Sequence, residues 1–438
     1  MAIDYLTGAL RAMQRTITAV SALPGRKKAG GAGWPVDHDS DKTNDPFVFV
    51  HGFFGWGQYE RGNDVLAYWG MFTGNLMQKL CNSGFMAVAA NIDTVGSAWD
   101  RACELYAQLT GTRVDYGKAH SAKFGHPRYG EDYTGRALLP VWNSEHKIHL
   151  IGHSFGGTTA GLFASILCYG AQDEIDATTD CTLSDFFRGG RTDWIRSITG
   201  LAAAYNGTSL AMNHQAMADL ERERVAWFAE RFPQAPALLR RGHDVLTRGV
   251  FGVLKKMTSG KVAKPDTGLY DMDPDQSVLL NRSIRMLPNV YYFSVPHDAT
   301  HPSADGTHRV PDHAVCDPFF WPFSHVTGRT MTVTPGGLPL GESWQHNDGI
   351  VNTESETAPF DKPSDRVPLP PSVALAEQGF TTGVYHIFPS YPGAHMALLG
   401  NVFRPTDRGL AYLYDLMRMI NALEPVTEPL PGKETAHA

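Results

Sequence analysis

The chain has 438 residues, 42% of them hydrophobic and 11% aromatic, with 44 glycines and 28 prolines, enough for a sizeable core and many loops in one elaborated domain. Its 38 lysines and arginines against 45 acidic residues leave a net charge of −7 and no long basic run, which speaks against a phosphate-tracking surface and against nucleic acid as a partner. Five scattered cysteines with no CxxC pair argue against a disulfide framework, and no stretch reaches the roughly 18 apolar residues of a membrane-spanning helix.

In chain order, the N-terminus lacks the basic start and unbroken apolar stretch of a secretory signal, because Asp4, Arg11, Gln14 and Arg15 interrupt it. As it stands the chain reads as cytoplasmic. Residues 5–20 are expected to form a short amphipathic helix, with Leu6, Leu10 and Met13 on one side, packed on the domain rather than on a lipid surface. Residues 24–45 are rich in Gly, Pro and charge and read as a linker. The expected organisation is an extension over 1–45, a folded domain over 46–425 and a tail over 426–438.

Within that domain, apolar runs alternate with helical patterns, which predicts an α/β fold with a largely parallel central sheet flanked by helices. PFVFV (46–50), FMAVAANI (85–92), KIHLIG (147–152), WIRSITGLAA (194–203), NVYYFSV (289–295) and GVYHIF (383–388) are the strand candidates. Ser97 followed three residues later by Asp100 resembles a capped helix start. The last helix is expected over 407–423, and the helical stretch 208–265 interrupts the alternation as an inserted cap or lid.

The motif Gly152-His153-Ser154-Phe155-Gly156 falls between the apolar strand KIHLIG and the helical run SFGGTTAGLFASILCYG. G-x-S-x-G in this setting is a nucleophile elbow, whose flanking glycines allow a turn tight enough to hold the Ser hydroxyl above the sheet. Acyl transfer also needs donors for an oxyanion, and His51-Gly52-Phe53-Phe54-Gly55 follows the first strand directly. The backbone N–H groups of Phe53 and Phe155 are the expected pair.

A base and its orienting acid should follow in the order Ser, Asp, His. His395 in PGAHMALLG lies on a loop between the last strand and the last helix, whereas His386 lies inside the strand and is expected to be buried. For the acid, Asp348 in HNDGIVN stands beside a glycine upstream of His395; Asp361 and Asp365 lie in a polar, Pro-rich loop and read as solvated, and His346 reads as a loop residue. Phe54 and Trp56 fit an acyl pocket and a core equally well.

The phrases VHGFFGWG (50–57), WDRACELYAQL (99–109), VDYGKAHSAKFGH (114–126), IHLIGHSFGG (148–157), NDGIVNT (347–353) and the loop around His395 resemble the zinc-containing thermostable bacterial lipases, a branch of the α/β-hydrolases. The resemblance implies a serine carboxylic ester hydrolase acting on acylglycerols or related esters through an acyl-enzyme, with Ser154, Asp348 and His395 as triad and Phe53 and Phe155 at the oxyanion hole. It also implies a structural zinc ion away from the catalytic centre, on Asp100, His120 and His126, a ligand set that suits Zn²⁺. The fourth ligand should be an Asp of the insertion, where the match fails; Asp244 is chosen over Asp219, with His243 as a further candidate.

Two departures are visible. The insertion looks shorter than the family's, so a short-chain carboxylesterase or polyester hydrolase with a reduced lid stands as the alternative. An acyltransferase, a thioesterase and a non-catalytic lipid-binding module rank behind it. Ala397 and Val402 stand about where the family carries calcium-binding acids, so no calcium is expected. Relatives are typically exported; contact with a lipid interface fits an ester or lipid substrate, and oligomeric state leaves no trace in the sequence.

Overall fold

The run Phe47–Val50 forms strand β1. Because strand side chains alternate between faces, Phe47 and Phe49 enter one hydrophobic core while Val48 and Val50 enter another. Both faces of the sheet are therefore covered, which is why its strands read as continuous apolar runs rather than as alternating ones. The computed structural model describes residues 37–58, 67–70, 73–212, 258–259, 262–400 and 407–426.

With β1 stand β2 (Ala87–Ala89), β3 (Ile148–His153), β4 (Ile195–Leu201), β5 (Tyr291–Val295), β6 (Ser364–Arg366) and β7 (Tyr385–Ile387). They form one sheet in the order β6-β7-β5-β4-β3-β1-β2, and every neighbouring pair is parallel. Strand β6 was not foreseen: it occupies the stretch expected to be a polar loop. Its three residues are exposed, and as an edge strand it pairs through its backbone, so no apolar pattern marks it.

Helices α1 (Leu76–Asn82), α2 (Ala98–Thr110), α3 (Lys118–Phe124), α4 (Phe155–Tyr169) and α5 (Asp407–Asn421) surround the sheet. Leu76 and Leu80 of α1 join Leu413, Met417 and Ile420 of α5 in the core of one face. Ala98, Ala102 and Leu105 of α2 join Ala160, Phe163 and Leu167 of α4 in the core of the other. Helix α4 is buried from Phe155 through Cys168, which accounts for its near lack of charge. The expected cap at Ser97 forms, its Oγ accepting from Asp100 N at 3.3 Å, and Gly111 closes α2 at φ 66°. Cys103, Cys168 and Cys316 are buried free thiols, while Cys81 and Cys181 are exposed.

At the ends of the expected insertion stand a helical turn at Ser209–Met212 and the paired strands Thr258–Ser259 and Val262–Ala263. The helix expected over 5–20, the interior of the insertion and the tail beyond 426 lie outside the described residues. No helix among the described residues is long and apolar enough to cross a membrane.

Candidate active site

Ser154 stands at the turn from β3 to α4 with φ 57° and ψ −132°, a conformation that a non-glycine residue holds only where its surroundings enforce it. Enforcement comes from its backbone: Ser154 N donates to Leu201 O at 3.0 Å, and Ser154 O accepts from Gly157 N at 3.0 Å and Ala204 N at 3.3 Å. A Cβ on Gly156 would come within 2.2 Å of Val50 O, and one on Gly152 within 2.6 Å of the Gly156 backbone. Both glycines of the motif are therefore required by close approach of main chain to main chain.

The loop after β1 lies directly over Ser154, since a Cβ on Gly52 would be 2.6 Å from Ser154 Cβ. Gly55 N donates to Gly52 O at 3.1 Å and Phe54 N to Thr94 O at 2.7 Å, with Phe54 at φ 59°. The N–H groups of Phe53 and Phe155 have no hydrogen-bond partner among the described residues. Phe155 is fully buried, and Trp56 belongs to a core rather than to an open gorge.

Two further side chains hold this loop, and neither was singled out in the sequence. Arg101, wholly buried, donates to His51 O, to Asp93 O and to Thr159 Oγ1, tying the loops after β1 and β2 to α4. The hydroxyl of Tyr68 accepts from Gly52 N at 3.0 Å and lies 2.5 Å from His153 Nδ1. His153 Nε2 is 2.9 Å from His395 O, so it must donate there, and Nδ1 is then the acceptor of the Tyr68 proton. Burial keeps His153 far below the usual imidazole range, hence neutral. Its ring lies 4.6 Å, centroid to centroid, from that of His395.

His395 follows β7 on a loop, and its Nδ1 bonds Asp348 Oδ2. Asp348 is wholly buried; its Oδ1 accepts from Ile350 N at 3.0 Å and Val351 N at 2.8 Å, and its carbonyl accepts from His395 N at 2.9 Å. Burial opposes its charge, but the charge and hydrogen bond of His395 outweigh this and hold the carboxyl below its ordinary range. Ser154 and Phe53 also follow the carboxyl ends of their strands, where open parallel sheets gather their sites. The other candidates are engaged elsewhere: His386, buried in β7, bonds Asp365 at 2.7 Å, His346 bonds Asp298 at 2.6 Å, and Asp361 pairs with Lys362.

A second cluster gathers Asp100, His120, His126 and Asp266, whose ligand atoms lie within 4.8 Å of one another. His120 Nε2 is 3.1 Å from both Asp100 Oδ1 and Asp266 Oδ1, and His126 Nε2 is 3.4 Å from Asp266 Oδ2. Yet among the described residues Asp100 Oδ1 and both ring nitrogens are buried without a hydrogen-bonded partner. His126 Nδ1 donates to Pro127 O at 2.9 Å, which leaves Nε2 as the ring atom that faces Asp266. Separations of this size match the roughly 3.3 Å between ligands of a tetrahedral zinc site, so the donor set fits the ion. Burial opposes a proton on His120, but the carboxylates of Asp100 and Asp266 beside it raise its pKa to about 9. Trp99 stacks on the His120 ring at 5.2 Å, and Ser97 Oγ donates to Asp266 at 2.8 Å.

Asp244, expected as the fourth member, lies outside the described residues, as do Asp219 and His243. Among the described residues the fourth member of the cluster is Asp266, one residue past the expected insertion, at φ 62°. Pro265-Asp266-Thr267-Gly268 is turn chemistry, a signal of bent chain but not of a ligand.

A parallel sheet with a strained serine between strand and helix and a His–Asp pair on later loops defines an α/β-hydrolase. The family model described as "Lipase-like, C-terminal domain" matches residues 43–420, and the chain belongs to this bacterial lipase family. A lipase of Staphylococcus epidermidis is 32% identical over 337 residues, covering 73% of this chain and 46% of the relative. The chain thus spans about half the length of the curated relatives it matches, 46% in that case. Among solved structures, EstA from Clostridium botulinum aligns with a TM-score of 0.72 at 26% identity, over 94% of this chain and 98% of its own. Lipase 1 from Pelosinus fermentans aligns at 0.66 and 29% identity, over 87% and 99%.

Proposed function

We propose that the chain is a lipase-like carboxylic ester hydrolase working through an acyl-enzyme on Ser154. The observation that carries this reading is Ser154 at φ 57° on the strand-to-helix turn, next in sequence to His153, whose ring lies 4.6 Å from that of the Asp348-bonded His395, and beneath the loop that carries Phe53. His395 takes the Ser154 proton as Oγ adds to the ester carbonyl, and Asp348 holds the imidazole in the tautomer that accepts it. The N–H groups of Phe53 and Phe155 receive the negative oxygen of the tetrahedral intermediate. On its collapse the C–O bond to the alcohol breaks, and His395 returns the proton to the leaving oxygen. A water, deprotonated by His395, then cleaves the acyl-enzyme to free acid and Ser154.

The second part of the proposal is a resident zinc ion on Asp100, His120, His126 and Asp266, supported by the orphaned ligand atoms of the first three. When bound, the ion would fasten α2, the stretch from α3 to His126 and the chain at Asp266 to one another; catalysis would not pass through it.

Hydrolysis of p-nitrophenyl esters of graded chain length by wild type and Ser154→Ala tests the mechanism. The substitution is expected to lower kcat by on the order of 10⁴-fold or more, with a fluorophosphonate labelling only the wild type at Ser154. Equal rates in the two proteins would remove Ser154 from the mechanism, and the chain-length profile separates a lipase from a short-chain esterase.

A further inference from the structure

Glu356 ends a short helical turn, Thr353–Glu356, just after the loop that carries Asp348. It is wholly buried. Its Oε2 accepts from His297 N at 2.6 Å, while among the described residues Oε1 has no hydrogen-bond partner. A carboxyl oxygen of Glu356, one of Asp348 and a ring nitrogen of His297 lie within 4.8 Å of one another. Two carboxylates so close in a dry interior repel too strongly for both to ionise, so one of them keeps its proton. Asp348 is the one supplied with donors, from Ile350 N, Val351 N and His395 Nδ1. Among the described residues Glu356 has a single donor, and only a proton on it turns the contact between the two acids into a hydrogen bond.

We propose that Glu356, as a neutral carboxylic acid, donates its O–H to the Asp348 carboxylate and so acts as a positioning residue, extending the row Ser154, His395, Asp348 by a fourth member. The inference rests on the triad reading above. Burial, followed by the charge of Asp348 and the hydrogen bond between them, pushes the Glu356 carboxyl well above its usual range. The other titratable groups around the pair are His297 and Asp298 after β5, His395, His153 and Cys316. Burial keeps His297 neutral, with a pKa of about 4, and likewise leaves His153 uncharged and the Cys316 thiol protonated. The bond from Glu356 would fix the Asp348 carboxylate and spread its charge, which tempers how strongly it favours a protonated His395.

The test measures kcat, KM and the pH profile of kcat/KM for wild type, Glu356→Gln, Glu356→Leu and Ser154→Ala. Gln keeps a donor toward Asp348 and an acceptor for His297 N, so kcat should stay within about threefold of wild type and the acid limb should not move. Leu removes the donor: kcat should fall on the order of 10- to 100-fold at similar KM, the loss of a hydrogen bond to a charged group. The acid limb should also move to higher pH, since an unshared Asp348 charge favours the protonated base. An ionised Glu356, paired with a charged His297 for example, predicts the opposite for Gln: removing its negative charge would move the acid limb to lower pH, and that result would overturn the proposal. Should the Leu variant fail to fold, the infrared carbonyl band of a neutral carboxylic acid decides, expected in wild type at neutral pH and lost in Glu356→Gln; identical spectra count against it. An active Ser154→Ala would sink the triad reading itself, whereas an inactive Ser154→Ala beside a wild-type-like Glu356→Leu would sink this inference alone.

Discussion

His149, on β3, shows how a single buried side chain ties stability to pH. It is wholly buried, its Nδ1 lies 2.8 Å from Ser197 Oγ, and its ring stacks on Phe47 at 4.7 Å. Burial, aided by the nearby charge of Arg196, holds its pKa well below 6.5, so the folded chain keeps it neutral while the unfolded chain protonates it. The unfolded state therefore binds the extra proton, and stability from this group is complete above about pH 6.5 and falls by up to ~1.4 kcal/mol per pH unit below that. A His149→Phe variant lacks this penalty. Urea unfolding of both proteins at several pH values should show the variant gaining on wild type as pH drops through about 6.5; a constant difference between the two would contradict the assignment.

The unit formed by β3, the turn at Ser154 and α4 has its own demands, and its glycines divide by where they sit. Gly156 faces Val50 O at 2.2 Å from the position of an added Cβ, whereas an added Cβ at Gly161, one and a half turns further along, would meet only Ile284 Cγ2 at 3.8 Å. Gly156→Ala must push β1 away from the turn, displacing the loop that carries Phe53, and is expected to leave little folded or active protein. Gly161→Ala meets ordinary contact in a helix interior, where alanine gains roughly 0.5–1 kcal/mol over glycine. Thermal denaturation of the two variants should thus move in opposite directions, and a stabilised Gly156→Ala would refute the close approach. Arg101 serves the neighbouring element in the same spirit: a helix residue satisfies the carbonyls of two loops, and it does so from inside the core.

Across the whole molecule, the second cluster and the candidate active site share a boundary. The chain that supplies Asp266 continues to Gly268, whose added Cβ would lie 2.9 Å from the Phe53 ring and 3.0 Å from the Phe155 ring. Fixing Asp266 therefore also fixes the wall against which the rings of Phe53 and Phe155 pack. Elemental analysis of purified protein is expected to find about one zinc per chain, as a single closed tetrahedral site holds. Chelation should lower the thermal midpoint and slow ester hydrolysis together. Asp266→Asn should weaken zinc retention as much as Asp100→Asn does, while Asp244→Asn keeps it. Zinc lost from Asp244→Asn but retained by Asp266→Asn would return the fourth position to the insertion.

The tight turn at Ser154, the strand runs and the loops that hold Asp348 and His395 were legible in the sequence because each is local. A strand-to-helix turn needs its glycines a fixed number of residues from the serine, and a strand covered on both faces must be apolar throughout. The phrases VHGFFGWG and NDGIVNT carry loops shaped by hydrogen bonds within themselves, as the bonds from Ile350 N and Val351 N to the Asp348 carboxylate show. What only the tertiary structure decided are contacts between residues far apart in the chain. Strand β6 is held by backbone pairing to β7, and Arg101 and Tyr68 matter for the carbonyls and amides they reach. Asp266 joins the histidines through a turn whose composition says bend and nothing more, and Glu356 sits in a polar stretch that reads as surface. The distinction is physical: local steric need leaves a pattern at fixed spacing, whereas the partner of a buried polar group is chosen by the packing of elements that meet only when the chain is folded.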